Sequence, residues 1–345
     1  MKISAIDLFC GVGGLTNGLQ KAGINVVAGI DINLNCKYPY ETNNNSLFIN
    51  KSVEDVTCDE IQSLYSKADI KVLVGCAPCQ PFSNYNNKLK KDGKVDGKWG
   101  LLYSFGEIVR EIKPEIVSME NVPQMVKESV FNDFVNLLKE LKYHVFWDIV
   151  YAPDYGIPQN RKRLVLLASR IKDISLISPR YSPEEYPSVR EAIGHLPKIN
   201  AGEICKKDPL HRSSKLNEIN IKRIRQSRPG GTWRDWEYNL RLSCHIKDSG
   251  RSYPSVYGRM EWDKPSPTIT TQFYGYGNGR FGHPEQDRAL SLREGALLQT
   301  FPEDYIFITP DIKPSTRVIG TYIGNAVPVK LAEAIGISII KHLEG

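Results

Sequence analysis

No stretch of the chain reads as an apolar run long enough to span a bilayer, so none is expected to do so. Its start, Met1-Lys2-Ile3-Ser4-Ala5-Ile6-Asp7, carries an acid where a signal peptide has apolar residues. These two absences lead us to expect a cytoplasmic protein with no membrane segment. The seven cysteines are an odd set without the spacing of a disulfide framework, which fits a reducing compartment. Cys76 and Cys79 form a CxxC, half a zinc site or a redox pair, but no second CxxC exists and the six histidines show no ligand spacing. A structural zinc site needs a second ligand pair, so no metal is expected. Repeats and low-complexity tracts are also absent, which excludes solenoids and fibrous arrays.

What is present is ordinary in composition: 345 residues, 41% hydrophobic and 24% charged, enough for two globular domains. A net charge of +6 permits nucleic-acid binding without showing it. In the first half, short apolar strands alternate with helical patterns, as in an α/β fold with a parallel sheet. Ile3–Phe9 reads as a strand, Cys10-Gly11-Val12-Gly13-Gly14 as a tight turn, and Leu15–Gly23 as a helix closed by glycine. Strand, glycine turn and helix open a nucleotide-binding unit, in which glycines let a ligand approach the backbone. A second strand ends at Asp31, about twenty residues on, where a carboxylate accepts from ribose hydroxyls. The glycines depart from GxGxxG, which favours a mononucleoside cofactor over a dinucleotide.

Lys71-Val72-Leu73-Val74 is a buried-strand pattern running into Gly75-Cys76-Ala77-Pro78-Cys79-Gln80-Pro81-Phe82-Ser83. Prolines bracket Cys79, so the chain turns where ligands bind in open α/β sheets, at the carboxyl end of a strand. A thiolate there is a nucleophile if positive charge or a helix terminus lowers its pKa. The lysine- and glycine-rich stretch that follows reads as a loop able to close on a phosphate backbone. Glu115–Met119 forms the next strand and delivers Glu120 at its end, facing the same crevice as Cys79. After residue 178, prolines punctuate the chain and the helix–strand alternation stops. Between Lys206 and Arg259, thirteen basic residues face five acids, with Trp233, Trp236, Tyr238, Tyr253 and Tyr257 interleaved. Such a patch suits contacts to DNA backbone and bases.

Together these segments resemble the cytosine-5 DNA methyltransferase family over nearly the whole chain. Asp7–Gly14 resembles its cofactor loop, Pro78-Cys79-Gln80 its nucleophile motif, and Glu120-Asn121-Val122 its catalytic acid motif. Gln159-Asn160-Arg161-Lys162-Arg163 matches its QxRxR, and Arg293–Pro302 and Gly324–Pro328 match its last two motifs. The Asp/Asn-Pro-Pro-Tyr/Phe motif of amino-group methyltransferases is absent. One of the six alone is weak; six in family order are specific.

The resemblance implies a Rossmann-like S-adenosylmethionine-dependent catalytic domain (1–178 and 303–345) and a smaller target-recognition domain (179–302). It implies that Cys79 adds to carbon 6 of a flipped-out cytosine in double-stranded DNA, that Glu120 holds a proton at ring nitrogen 3, and that Arg163, with Arg161 close by, orients them. It assigns S-adenosylmethionine to Phe9, Gly11, Gly13, Asp31, Ile32, Asp55, Val56, Pro78, Leu102, Asn325 and Val327. DNA contacts fall to Ser83, Arg228, Thr268 and Thr270. Where relatives carry Arg-Gly before the next helix, this chain has Trp99-Gly100. A monomer is expected, with a cognate restriction endonuclease acting on the same site. Two other readings are a tRNA methyltransferase of the same fold and a catalytically silent DNA-binding regulator.

Overall fold

A computed structural model describes residues 1–65, 68–78, 100–248, 253–310, 312 and 315–345. In chain order the elements are β1 (Ile3–Leu8), α1 (Gly14–Lys21), β2 (Asn25–Asp31), α2 (Lys37–Asn43), β3 (Leu47–Asn50), α3 (Cys58–Leu64), β4 (Ile70–Gly75), α4 (Gly100–Ile112), β5 (Ile116–Asn121), α5 (Ser129–Glu140), β6 (His144–Tyr151), β7 (Gln159–Asn160) and β8 (Lys162–Ser169). There follow α6 (Val189–Ile193), α7 (Glu218–Gln226), α8 (Ser243–Ile246), β9 (Ser266–Pro267), α9 (Leu292–Leu298), α10 (Thr316–Asn325) and α11 (Val329–Glu344).

The chain divides into two compact units. The first is Met1–Tyr151, Lys162–Pro179 and Val327–Gly345; the second is Ala152–Arg161 and Arg180–Ala326. The second unit thus takes in 152–161 and 303–326, which the sequence reading gave to the catalytic domain.

The first unit is built on a seven-stranded sheet of order β3-β2-β1-β4-β5-β8-β6. The first five strands are parallel, and β8 runs antiparallel to both its neighbours. Its central strands read as near-continuous apolar runs because both faces are covered, as a parallel sheet requires. One apolar core joins Leu8, Leu73 and Val117 of the sheet to Ile61 of α3, Phe105 of α4 and Phe131 of α5. The chain builds outward from β1 through β2 and β3, then crosses to β4 on the opposite side. The crevice outside the ends of β1 and β4 is therefore the topological switch point, where such sheets bind ligands.

The second unit has little regular structure: short helices, turns and the two-residue pair β7–β9. Its aromatic core gathers Trp233, Trp236 and Tyr276, with Tyr257 packed against it.

One correction concerns the end of the chain. By length and composition, Thr316–Glu344 is apolar enough to cross a membrane, contrary to the sequence reading. However, the helix breaks between Asn325 and Val329 into α10 and α11, and 67% of its most apolar window is buried inside the molecule.

Candidate active site

Parallel pairing sets Gly75 of β4 opposite Met119 of β5, so the next residues, Cys76 just past β4 and Glu120 near the end of β5, stand side by side. Glu120 is only 2% exposed. The Arg163 Nε, at the start of β8, lies 3.0 Å from its Oε1, and the Cys76 thiol donates to its Oε2 at 3.0 Å. Arg163 also donates through Nη1 to the Lys162 carbonyl at 2.7 Å. The Asn121 amide donates to the Ala77 carbonyl at 2.9 Å, tying the two strand ends together just beyond. A buried carboxylate with a guanidinium on one oxygen is a charged group compensated in place, which burial demands.

At the ends of β1 and β2 lies a second cluster. Phe9 adopts a left-handed backbone (φ 61°), as do Gly11 (φ 52°) and Gly13 (φ 92°). Such a conformation in a non-glycine residue is sparse and concentrates at ligand sites. A side chain on Gly11 would stand in open space, so the backbone there is open to a ligand. The Asp31 carboxylate accepts from the Gly11 amide at 2.9 Å and the Asn33 amide at 2.8 Å. Burial raises its pKa, and those two amides oppose the shift. Next to it Ile32 is an apolar side chain left 72% exposed. A held carboxylate, an open glycine and an uncovered apolar face fit a ribose, its attached chain and an adenine ring, as a nucleoside cofactor requires.

Behind this turn lies Asp7, fully buried, accepting from the Thr16 hydroxyl at 2.7 Å. Its Oδ1 finds no partner among the described residues. Burial pushes this carboxyl up to about 7 against the Thr16 hydrogen bond. The sequence reading quoted Asp7 as part of the glycine-loop motif and gave it no role.

Other candidates fall differently. Cys79 and Ser83 lie outside the described residues, as do Trp99 and the lysine-rich stretch before it. Pro78 is partly buried; Asp55 is exposed in a short 3-10 turn after β3, with Val56 partly buried behind it. Leu102 is 2% exposed within the apolar core, so its side chain is taken up in packing rather than offered to a ligand. Val327 is buried in the first unit, whereas Asn325 is exposed at the end of α10 in the second. Arg161 parts from Arg163: it belongs to the second unit, where it donates to the Gln159 amide oxygen at 3.4 Å and the Ile269 carbonyl at 3.2 Å.

In the second unit, the expected basic and aromatic DNA patch needs correction. Trp233 and Trp236 are buried in its core, and His245 stacks on Trp233 with ring centroids 4.4 Å apart. Arg223 and Arg259 are buried too, donating to backbone carbonyls of residues 240, 224, 227, 283 and 286. Part of the basic excess is therefore internal scaffolding, and Tyr238 and Tyr253 are the aromatics of that stretch left exposed. Arg228 is exposed and paired with Asp235 at 3.0 Å. Thr268 donates to the Asn160 carbonyl at 2.6 Å, and Thr270 is exposed, accepting from the Gln272 amide.

Cys76 is the residue whose placement sequence reasoning missed, having weighed it only as a partner of Cys79. No signal in the sequence gave the register that sets Cys76, one step past β4, beside Glu120 near the end of β5.

The chain is 52% identical to the type II methylase M.HgiDII of Herpetosiphon aurantiacus, over 99% of this chain and 96% of that one. It is 30% identical to the type II methyltransferase M1.HphI of Haemophilus parahaemolyticus, over 99% and 87%. Among solved structures, a prophage-encoded Escherichia coli protein described as a DNA modification methyltransferase matches over the whole of both chains, with a TM-score of 0.75 at 22% identity. The Dnmt2 methyltransferase of S. pombe does so with a TM-score of 0.67 at 17% identity. These two likenesses establish the fold alone, a Rossmann-like α/β fold. Residues 3–341 match the C-5 cytosine-specific DNA methylases, and the chain belongs to that family.

Proposed function

We propose that the protein methylates carbon 5 of a cytosine flipped out of a specific double-stranded DNA sequence, as the modification enzyme of a restriction–modification system. The observation that carries this is the buried Glu120 carboxylate held by Arg163 at the end of β5, beside the end of β4 that leads into the Pro-Cys-Gln motif of the sequence. The type II names of the relatives support the restriction–modification context.

Carbon 5 of cytosine is a poor nucleophile and must be activated. The Cys79 thiolate adds to carbon 6, placing its electron pair in a new C–S bond. The displaced ring electrons reach nitrogen 3, where Glu120 holds a proton against the developing charge. Arg163 fixes Glu120 and contacts the base oxygen. S-adenosylmethionine supplies an electrophilic methyl group when bound. After carbon 5 has taken that methyl, a base removes its proton, the ring double bond re-forms, and the thiolate leaves. Phe9, Gly11, Gly13, Asp31, Ile32 and Asp55 are the residues we assign to the cofactor. The base cannot be reached in a stacked duplex, so it is extruded first. The second unit reads the target, with Arg228, Thr268 and Thr270 at the backbone.

Cys79→Ala tests this reading. Tritiated methyl transfer to duplex DNA is expected to vanish while DNA and cofactor still bind. Undiminished turnover would remove Cys79 as nucleophile. Wild-type transfer to tRNA in place of duplex DNA would overturn the substrate.

A further inference from the structure

We propose that Cys76 is a positioning residue: its thiol hydrogen bond to Glu120 fixes the plane of the carboxyl that faces the target base. This rests on the reading of Glu120 as the group holding a proton at ring nitrogen 3. The last torsion of a glutamate, between sp³ and sp² carbons, is broad and settles into no sharp well. Burial confines the side chain without by itself fixing the rotation of its two oxygens. The ion pair from Arg163 runs through Nε to Oε1, while Nη1 of the same guanidinium is turned to the Lys162 carbonyl. A carboxylate gripped at one oxygen can still swing the other. Cys76 donates to that other oxygen, Oε2, at 3.0 Å.

Neighbouring contacts make this placement rigid. Gly75 is paired with Met119 on one side of the contact, and Asn121 is hydrogen-bonded to the Ala77 carbonyl on the other. The backbones of Cys76 and Glu120 are therefore held side by side. A thiol suits this role because it is a weak donor, orienting the carboxylate without holding it in the charged form as a second guanidinium would.

Kinetics of Cys76→Ala and Cys76→Ser decide the matter, with kcat followed across pH for methyl transfer to duplex DNA. Cys76→Ala is expected to lower kcat about ten-fold, since a misdirected proton-holding group loses part of its effect. KM for DNA and for cofactor should stay within about two-fold, because the contact touches neither ligand. Losing a donor to a carboxylate favours its protonated form, so the high-pH limb of kcat moves upward. Cys76→Ser, which restores a donor, should recover kcat to within about three-fold and return the limb to its place. A Cys76→Ala enzyme with wild-type kcat and limb overturns the proposal, as does a Cys76→Ser enzyme equally impaired, which would mean that sulfur merely packs. Should Cys76→Ala fail to fold, infrared spectra of the wild type and Glu120→Gln serve instead. The S–H stretching band of Cys76, identified by its loss in Cys76→Ser, should move to higher frequency when the carboxylate is neutralised. An unmoved band overturns the contact. Absence of methyl transfer by the wild type would overturn the reaction itself and the proposal with it, whereas wild-type transfer with an unaltered Cys76→Ala overturns the proposal alone.

Discussion

The two units bury charge in different ways. In the first, backbone polar groups are satisfied by sheet and helix, and the buried acids Asp7 and Glu120 stand at strand ends near the candidate site. The second has two-residue strands, so many of its carbonyls lack a ladder partner, and buried guanidinium groups take that place. Arg259 donates to four carbonyls and pairs with Asp287. Arg288, wholly buried, donates to the carbonyls of Ile199 and Ala289 and grips both oxygens of Glu294 at 2.8 and 2.6 Å. Glu294 in turn caps α9 through the Ser291 amide. An arginine fork here does what a β-ladder does in the first unit. Its failure would be less gradual, because each guanidinium closes several turns at once.

The largest expected effect follows from that. Arg288→Ala leaves Glu294 as an unpaired buried charge, and breaking such a pair costs about 3–5 kcal/mol. Hydrogen exchange should show lost protection throughout the second unit's peptides while the sheet of the first keeps its own. Arg288→Met with Glu294→Gln removes both charges while keeping a capping side chain, and should recover about half of the loss. A cost below about 1 kcal/mol for Arg288→Ala alone would mean that the apolar core, not the guanidinium, holds this unit.

Protonation separates the units in opposite directions. Burial holds the Asp7 carboxyl up at about 7, above its ordinary 3.8. The folded form therefore binds the extra proton, and the stability it contributes below about pH 4 is lost as pH rises towards 7. In the second unit burial alone would raise Glu294, but Arg288 holds it down at about 2, below its ordinary 4.5. That contribution is present above about pH 4.5 and is lost as pH falls towards 2. Burial pulls His283 down to about 4 from 6.5, so the second unit loses further stability as pH drops through that window. Asp7→Asn keeps an acceptor for Thr16 and should flatten the first unit's loss between pH 4 and 7.5, on the order of 3–4 kcal/mol in the wild type. Urea unfolding followed by exchange of β1 and β2 peptides measures it. An unchanged slope would place the titration elsewhere.

The first unit was largely legible in the sequence. Lys71–Val74 and Glu115–Met119 announced buried parallel strands by composition alone, and the end of the second located Glu120. The pairing of Cys76 with Glu120 was hidden, because register between strands forty residues apart is set by packing that a single sequence does not display. In the second unit the irregular chain left only charge and aromaticity to read. The stretch from Lys206 to Arg259 was read as a patch suited to DNA, yet Trp233, Trp236, Arg223 and Arg259 within it are buried. A basic run has the same sequence whether its guanidinium groups meet phosphate or carbonyl oxygen, and only the third dimension distinguishes them.

The smallest expected effect sharpens the same contrast at two glycines that admit close contacts. In the first unit, a Cβ on Gly18 of α1 would stand 2.3 Å from the Val329 carbonyl oxygen and 2.4 Å from the Ala332 Cβ of α11. In the second, a Cβ on Gly324 of α10 would stand 2.5 Å from the carbonyl group of Thr270 and from the Thr271 amide. All of these are far inside contact distance, so neither alanine fits without backbone movement, at a cost of about 1–3 kcal/mol. The units should absorb that strain unequally. Gly18 lies between two helices that can slide apart together, so Gly18→Ala should lower stability at the low end of that range. Gly324 abuts an irregular segment that also carries the Ile269 carbonyl bound by Arg161, so Gly324→Ala should reach the high end and expose the 268–273 peptide to exchange. Equal losses for both alanines would mean that the arginine-braced unit yields as readily as the helical layer, and the contrast between them would fail.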